Sequence, residues 1–122
     1  MARTHRELEC WQLAYELRKP LLKIIKRPEV ARDLNFCGQA DRAVNSACHN
    51  TSEGFYQYKH RPFAASLRIA RGQLGETNDQ LDAALQKAYI TPEEYEDLTG
   101  LCAQALAANA GLLNYLDGKA KK

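Results

Sequence analysis

Phe63, Leu67, Ala70, Leu74, Thr77, Leu81, Ala84 and Ala88 recur alternately four and three residues apart. Such a period is one face of a long α-helix, and a seam that apolar cannot remain in water. It demands other helices to pack against. Most of what this chain can become follows from that demand.

Three further stretches supply the partners. Trp11, Ala14, Tyr15, Leu17, Leu21, Leu22, Ile24 and Ile25 share a face, opposite Glu9, Gln12, Glu16, Lys19, Lys23 and Lys26. This places a first helix at about 5–26. Pro20 removes its backbone bond to Glu16 and predicts a kink, and Pro28 forces Arg27 out of helical geometry. Asp33 can cap a second helix, 33–53, whose stripe of Cys37, Ala40, Ala43, Val44, Ala47, Cys48 and Thr51 is small enough for close approach. Gly54 is expected to end it as a left-handed cap.

The third helix spans 62–88, with Pro62 in its first turn. The fourth, 92–117, opens on Thr91 as cap, Pro92 next and Glu94 completing a capping box, and Gly118 closes it. Its stripe is Tyr95, Leu98, Leu101, Cys102, Ala105, Leu106, Leu112 and Leu116. Four helices of about 20–25 residues would each run about 30–38 Å, matched in length. No strand-like alternation appears. The expected fold is all-α, a single antiparallel up-down-up-down four-helix bundle across 1–122, with a disordered basic tail at 119–122.

Composition excludes more than it selects. The chain has 122 residues, enough to bury a core without staples. Four cysteines lack any Cys-x-x-Cys pair, so zinc-ribbon and thioredoxin readings fail, and buried reduced thiols are expected. Met1 to Glu9 is too polar for a signal peptide, and no apolar run would span a membrane, so a cytoplasmic location is expected. Net charge is only +2, but residues 1–32 carry eight Lys/Arg against four Asp/Glu.

Certain spacings resemble a known family. Leu8, Trp11 and Ala14 match a Leu-x-x-Trp-x-x-Ala pattern opening helix one. Ser46, Asn50, Thr51, Ser52, Glu53 and Gly54 align with Ser-x-x-x-Asn-Ile-Ala-Glu-Gly at the end of helix two. Phe63, Leu67, Ala70, Gly72, Gln73 and Glu76 follow an aromatic and Leu-x-x-Ala-x-Gly-Ser-x-x-Glu in helix three. These resemble the bacterial 23S ribosomal RNA intervening-sequence, or S23, proteins. This chain departs at Thr51, Ser52 and Gln73. The resemblance implies an antiparallel four-helix bundle, ring-shaped pentamers in some relatives, association with RNA, and a related branch serving diversity-generating retroelements. It implies no catalytic activity and no cofactor.

Asn50 and Glu53 lie three apart, on one helix face, with Glu76 on the next helix. Arg42, Arg68, Arg71 and Gln73 are their available partners. Such a cluster, Gly54 included, is expected to fix bundle register rather than hold a metal. Di-iron chemistry is excluded, because no glutamate has a histidine three positions later.

Two cationic groups are the nucleic-acid candidates. One is Arg18, Lys19, Lys23, Lys26 and Arg27 on helix one, with Arg3 and Arg6 at its start. They suit the negative end of a helix dipole or a phosphate backbone, the latter amplified in a ring. The other is Phe55–Phe63, where Lys59, His60 and Arg61 interleave with aromatics. There the rings either stack on bases, or Phe55 and Phe63 staple the hairpin while Tyr56 and Tyr58 meet a neighbouring subunit. Adjacent Cys48 and His49 point about 100° apart on a helix, so no thiol–imidazole pair forms. His5 and His60 show no partner in the sequence. The expectation is a non-enzymatic, self-associating bundle that binds structured RNA or a ribonucleoprotein partner. The alternative is a protein-interaction scaffold.

Overall fold

The computed structural model describes residues 2–57 and 59–120. A 3-10 turn, His5–Glu7, leads into α1 (Glu9–Ile24). A short α2 (Pro28–Ala31) follows, then three long helices: α3 (Leu34–Phe55), α4 (His60–Gln86) and α5 (Pro92–Ala120). There is no strand among the described residues.

The punctuation works largely through the residues that predicted it. Asp33 accepts the Phe36 N–H at 3.1 Å, capping α3. Thr91 Oγ1 accepts the Glu94 N–H at 3.1 Å while Glu94 accepts the Thr91 N–H at 2.9 Å, a complete capping box. Arg27, before Pro28, is extended at φ −61°, ψ 137°. α1 runs through Pro20 unbroken; the carbonyl it deprives belongs to Glu16, on the exposed face.

Several boundaries differ from the sequence reading. α1 ends at Ile24 because the Pro28 turn forms its own short helix. α4 starts at His60, two residues before its proline, which an early helical position tolerates. Ala88 is no longer helical: it is exposed and takes φ 60°, supplying the left-handed turn that glycine usually supplies. Gly118 and Lys119 stay within α5, since helix geometry requires nothing left-handed there. Lys121 and Lys122 of the expected tail lie outside the described residues.

Each long helix packs on two others, giving a ring in the order α1, α3, α4, α5 and back to α1. Cross-helix pairs show that all neighbours run oppositely. Arg18 meets Asn45 and His5 meets Tyr56 between α1 and α3. Gln39 meets Gln80 and Asn50 meets Gln73 between α3 and α4. Leu67 meets Asn109 and Asp82 meets Tyr95 between α4 and α5. Arg27 meets Glu94 where the α1 and α5 ends come together.

The core follows the stripes: Leu17, Leu21, Phe36, Val44, Leu67, Leu81 and Cys102 are at most 2% exposed. Burial pushes the Cys10, Cys48 and Cys102 thiols up to about 11, which suits structural rather than reactive cysteines. All four cysteines are free thiols.

Candidate nucleic-acid interface

Antiparallel order brings four chain segments to one end of the bundle: the start of α1, the end of α3, the start of α4 and the end of α5. The N-terminal segment is tied down there. Glu7 accepts the backbone N–H groups of Arg3 and Thr4 at 2.6 and 2.9 Å. His5 packs edge-on against Trp11 and Tyr56, and its Nδ1 lies 3.0 Å from the Tyr56 hydroxyl. Burial and then the Arg6 charge lower the His5 pKa, so it stays neutral there at ordinary pH. His5 therefore has a partner the sequence does not reveal, because that partner is 51 residues away.

This anchoring places Arg3 and Arg6 at the same end as Lys59, His60 and Arg61, and all five are exposed. Arg3, Arg6, Lys59 and Arg61 have no ion-pair partner among the described residues. Phe55 and Phe63 do staple the hairpin, 6.1 Å apart and edge-to-face. Tyr56 packs on His5 and Phe55 of its own chain, while Tyr58 lies outside the described residues. An apolar groove of about 550 Å³ opens here, lined by Leu8, Phe55, Phe63, Leu112 and Leu116 with Lys59, His60 and Tyr115.

The helix-one cluster does not act as one patch. Arg18 turns inward, donating Nε–H to Asn45 Oδ1. Arg27 donates to both Glu94 carboxylate oxygens and, at 3.0 Å, to the Tyr89 carbonyl. The Glu94 hydrogen bond raises the Arg27 pKa further. Lys19 pairs with Glu16 at 3.1 Å and sits over the Tyr15 ring. Only Lys23 and Lys26 remain exposed and unpaired among the described residues, and Lys23 shares a shallow cleft with Glu94 and Asp97. Carboxylates beside it oppose a phosphate there.

The polar motif divides three ways. Asn50 Nδ2 donates to Gln73 Oε1 at 3.0 Å, a true bond across α3 and α4. Glu53 instead pairs with His49 one turn back on α3, at 3.1 Å, and is exposed. Glu76 is exposed about two helical turns away along α4, in a polar cleft with Arg42, Gln39, Asp79 and Gln80. Arg68 pairs with Asp117, not with this cluster.

Gly54 is no left-handed cap, since no glycine has positive φ among the described residues. It is buried within α3, where an added Cβ would lie 2.6 Å from Ser66 Cβ and 3.0 Å from Phe63 Cδ1. Its smallness lets α3 and α4 touch. Cys48 is buried and His49 exposed, as their spacing requires.

Two features escape the sequence. Asn109 is 1% exposed in α5; its Nδ2 donates to the Leu67 carbonyl at 3.0 Å, and its Oδ1 has no partner among the described residues. The signal was its place in the stripe, between Ala105 and Leu112, where an apolar residue would continue the period. The other is Asp33, which takes the Lys87 ammonium and the Tyr89 hydroxyl, each at 2.7 Å, besides capping α3. Lys87 foremost, then Tyr89 and the Phe36 N–H, hold its carboxyl down at about 2. No three His, Cys, Asp or Glu among the described residues gather to hold a metal. Among the described residues no helix is long and apolar enough to cross a membrane.

Fold and surface together define an antiparallel helical bundle in which four cations, in no ion pair among the described residues, gather at one end beside an apolar groove. The chain belongs to the family of 23S rRNA-intervening sequence proteins, which it matches over residues 6–110. That stretch takes in every helix except the end of α5. No curated protein matches the chain.

Proposed function

We propose that this chain is a non-enzymatic, self-associating bundle that binds structured RNA, alone or within a ribonucleoprotein, in the cytoplasm. The observation that carries the reading is the convergence of Arg3, Arg6, Lys59 and Arg61 on one end, in a family named for 23S rRNA. Cations without carboxylate partners release counterions when they meet phosphates, which makes binding salt-dependent. A role without catalysis is supported by the separation of Glu53 from Glu76 and by the raised thiol pKa values. Self-association, as a pentameric ring, rests on the form that the family resemblance implies.

Filter binding of ribosomal RNA fragments across a salt series tests the RNA reading. Affinity should fall steeply with salt, and Lys59→Gln with Arg61→Gln should weaken all fragments and reduce the log–log slope by about 2. Absent or salt-independent binding would end the claim. Light scattering decides self-association, and a monomer would remove the ring.

The apolar groove favours a second reading, a protein-interaction scaffold without nucleic-acid affinity. A scaffold keeps its partners after nuclease treatment, whereas an RNA-bridged assembly loses them.

A further inference from the structure

We infer that the groove at the cationic end receives an unpaired nucleobase, so the preferred RNA is a loop, bulge or single-stranded end rather than continuous duplex. This rests on the RNA-binding reading above and names its substrate class.

The groove has a volume of about 550 Å³, within the range of small-molecule sites, and its lining is mostly apolar and aromatic. Phe55 and Phe63 meet edge-to-face within it, so neither ring is free to turn away. Tyr115 is 56% exposed on α5 and makes no aromatic pair among the described residues, so the ring face away from Lys119 can take a stacking partner. The Lys119 ammonium lies 5.5 Å from the centre of that ring, while Lys59 and His60 line the groove itself. Rings flanked by cations are what a nucleotide needs: stacking for the base, positive charge for its phosphates.

Duplex RNA cannot use such a groove. Its bases are held inside the stack, and its deep major groove admits no side chain, so only unpaired bases reach aromatic surfaces. An apolar peptide would fill the hollow but leave Lys59, Arg61, Arg3 and Arg6 without anions. Charge complementarity therefore selects the polyanion. Leu112, Tyr115 and Leu116 of the groove lie beyond the stretch that matches the family.

The experiment compares two RNAs of equal length and phosphate number by fluorescence anisotropy, one a stem with an unpaired loop, the other fully paired. The looped RNA should bind about tenfold tighter or more. Tyr115→Ala should weaken it about 5- to 100-fold and leave the duplex unchanged. Tyr115→Phe should restore binding and Tyr115→Leu should not, since stacking needs a ring rather than grease. Tyr115 is exposed, so these variants fold. Equal binding of both RNAs, or a Tyr115→Ala loss shared by both, would overturn the inference. So would a fall in the mass of the assembled species with RNA affinity intact, because the groove would then be a contact between copies. If neither RNA binds even at low salt, the broader RNA reading fails and this one with it.

Discussion

The two ends of the bundle carry similar residues and use them oppositely. At one end, Asp33 caps α3 and holds Lys87 and Tyr89, Tyr89 packs edge-to-face on Phe36 at 5.3 Å, and Arg27 closes onto Glu94. Each of those charges is consumed by folding. At the other end, Arg68 has Asp117 and Glu7 is taken up by the Arg3 and Thr4 backbone, but the Arg3, Arg6, Lys59 and Arg61 side chains form no ion pair among the described residues. A run of cations in sequence is thus a poor guide to a binding surface. What decides is whether the neighbouring helix presents an acid.

Core truncation should separate the two ends most sharply. Phe36→Ala, at a 2% exposed site, should cost about 3–5 kcal/mol in urea denaturation, whereas Tyr115→Ala should stay within about 0.5 kcal/mol. Similar losses from both would erase the contrast. Next in size, Gly54→Ala should destabilise by about 1–3 kcal/mol through overpacking against Ser66 and Phe63, despite alanine's better helix propensity. A stabilised variant would mean that α3 and α4 do not meet there.

Ala88→Gly probes the consumed end from the other direction. Relief of the left-handed alanine should stabilise by about 1 kcal/mol, read as a higher denaturation midpoint. The smallest effect is a titration. The Asp33 carboxyl is held at about 2, below its ordinary value of 3.8, so its contribution is present above pH 4 and lost as pH falls towards 2. Asp33→Asn keeps a competent cap and should flatten that part of the stability–pH curve. Lys59→Gln should leave the curve unchanged, and an equal flattening there would refute the division of labour.

Much of the fold was legible because helical stripes and caps are local. Asp33, Pro28 and the Thr91–Glu94 box each act within four residues, and each does what its chemistry predicts. Gly54 was misread because a glycine at a helix end serves a turn or a close approach equally well, and only the opposing Ser66 decides between them. The partners of Arg18, Arg27 and His5 are hidden from the sequence for the same reason: they lie 27, 67 and 51 residues distant. Asn109 was overlooked because a polar residue in an apolar period looks like an interruption rather than a bond across helices. Of the interface, the residue types were visible, but not which cations the fold would leave over.

Three of the four seams join long helices that are successive along the chain; the α1–α5 seam alone unites the first with the last. It carries the largest loop-closure cost, so it should zip last and fray first. The groove straddles that joint, with Leu8 leading into α1 on one bank and Leu112 and Tyr115 on the other. Any guest gripping both banks is a clasp, and occupancy of the groove would lock the ring of helices shut.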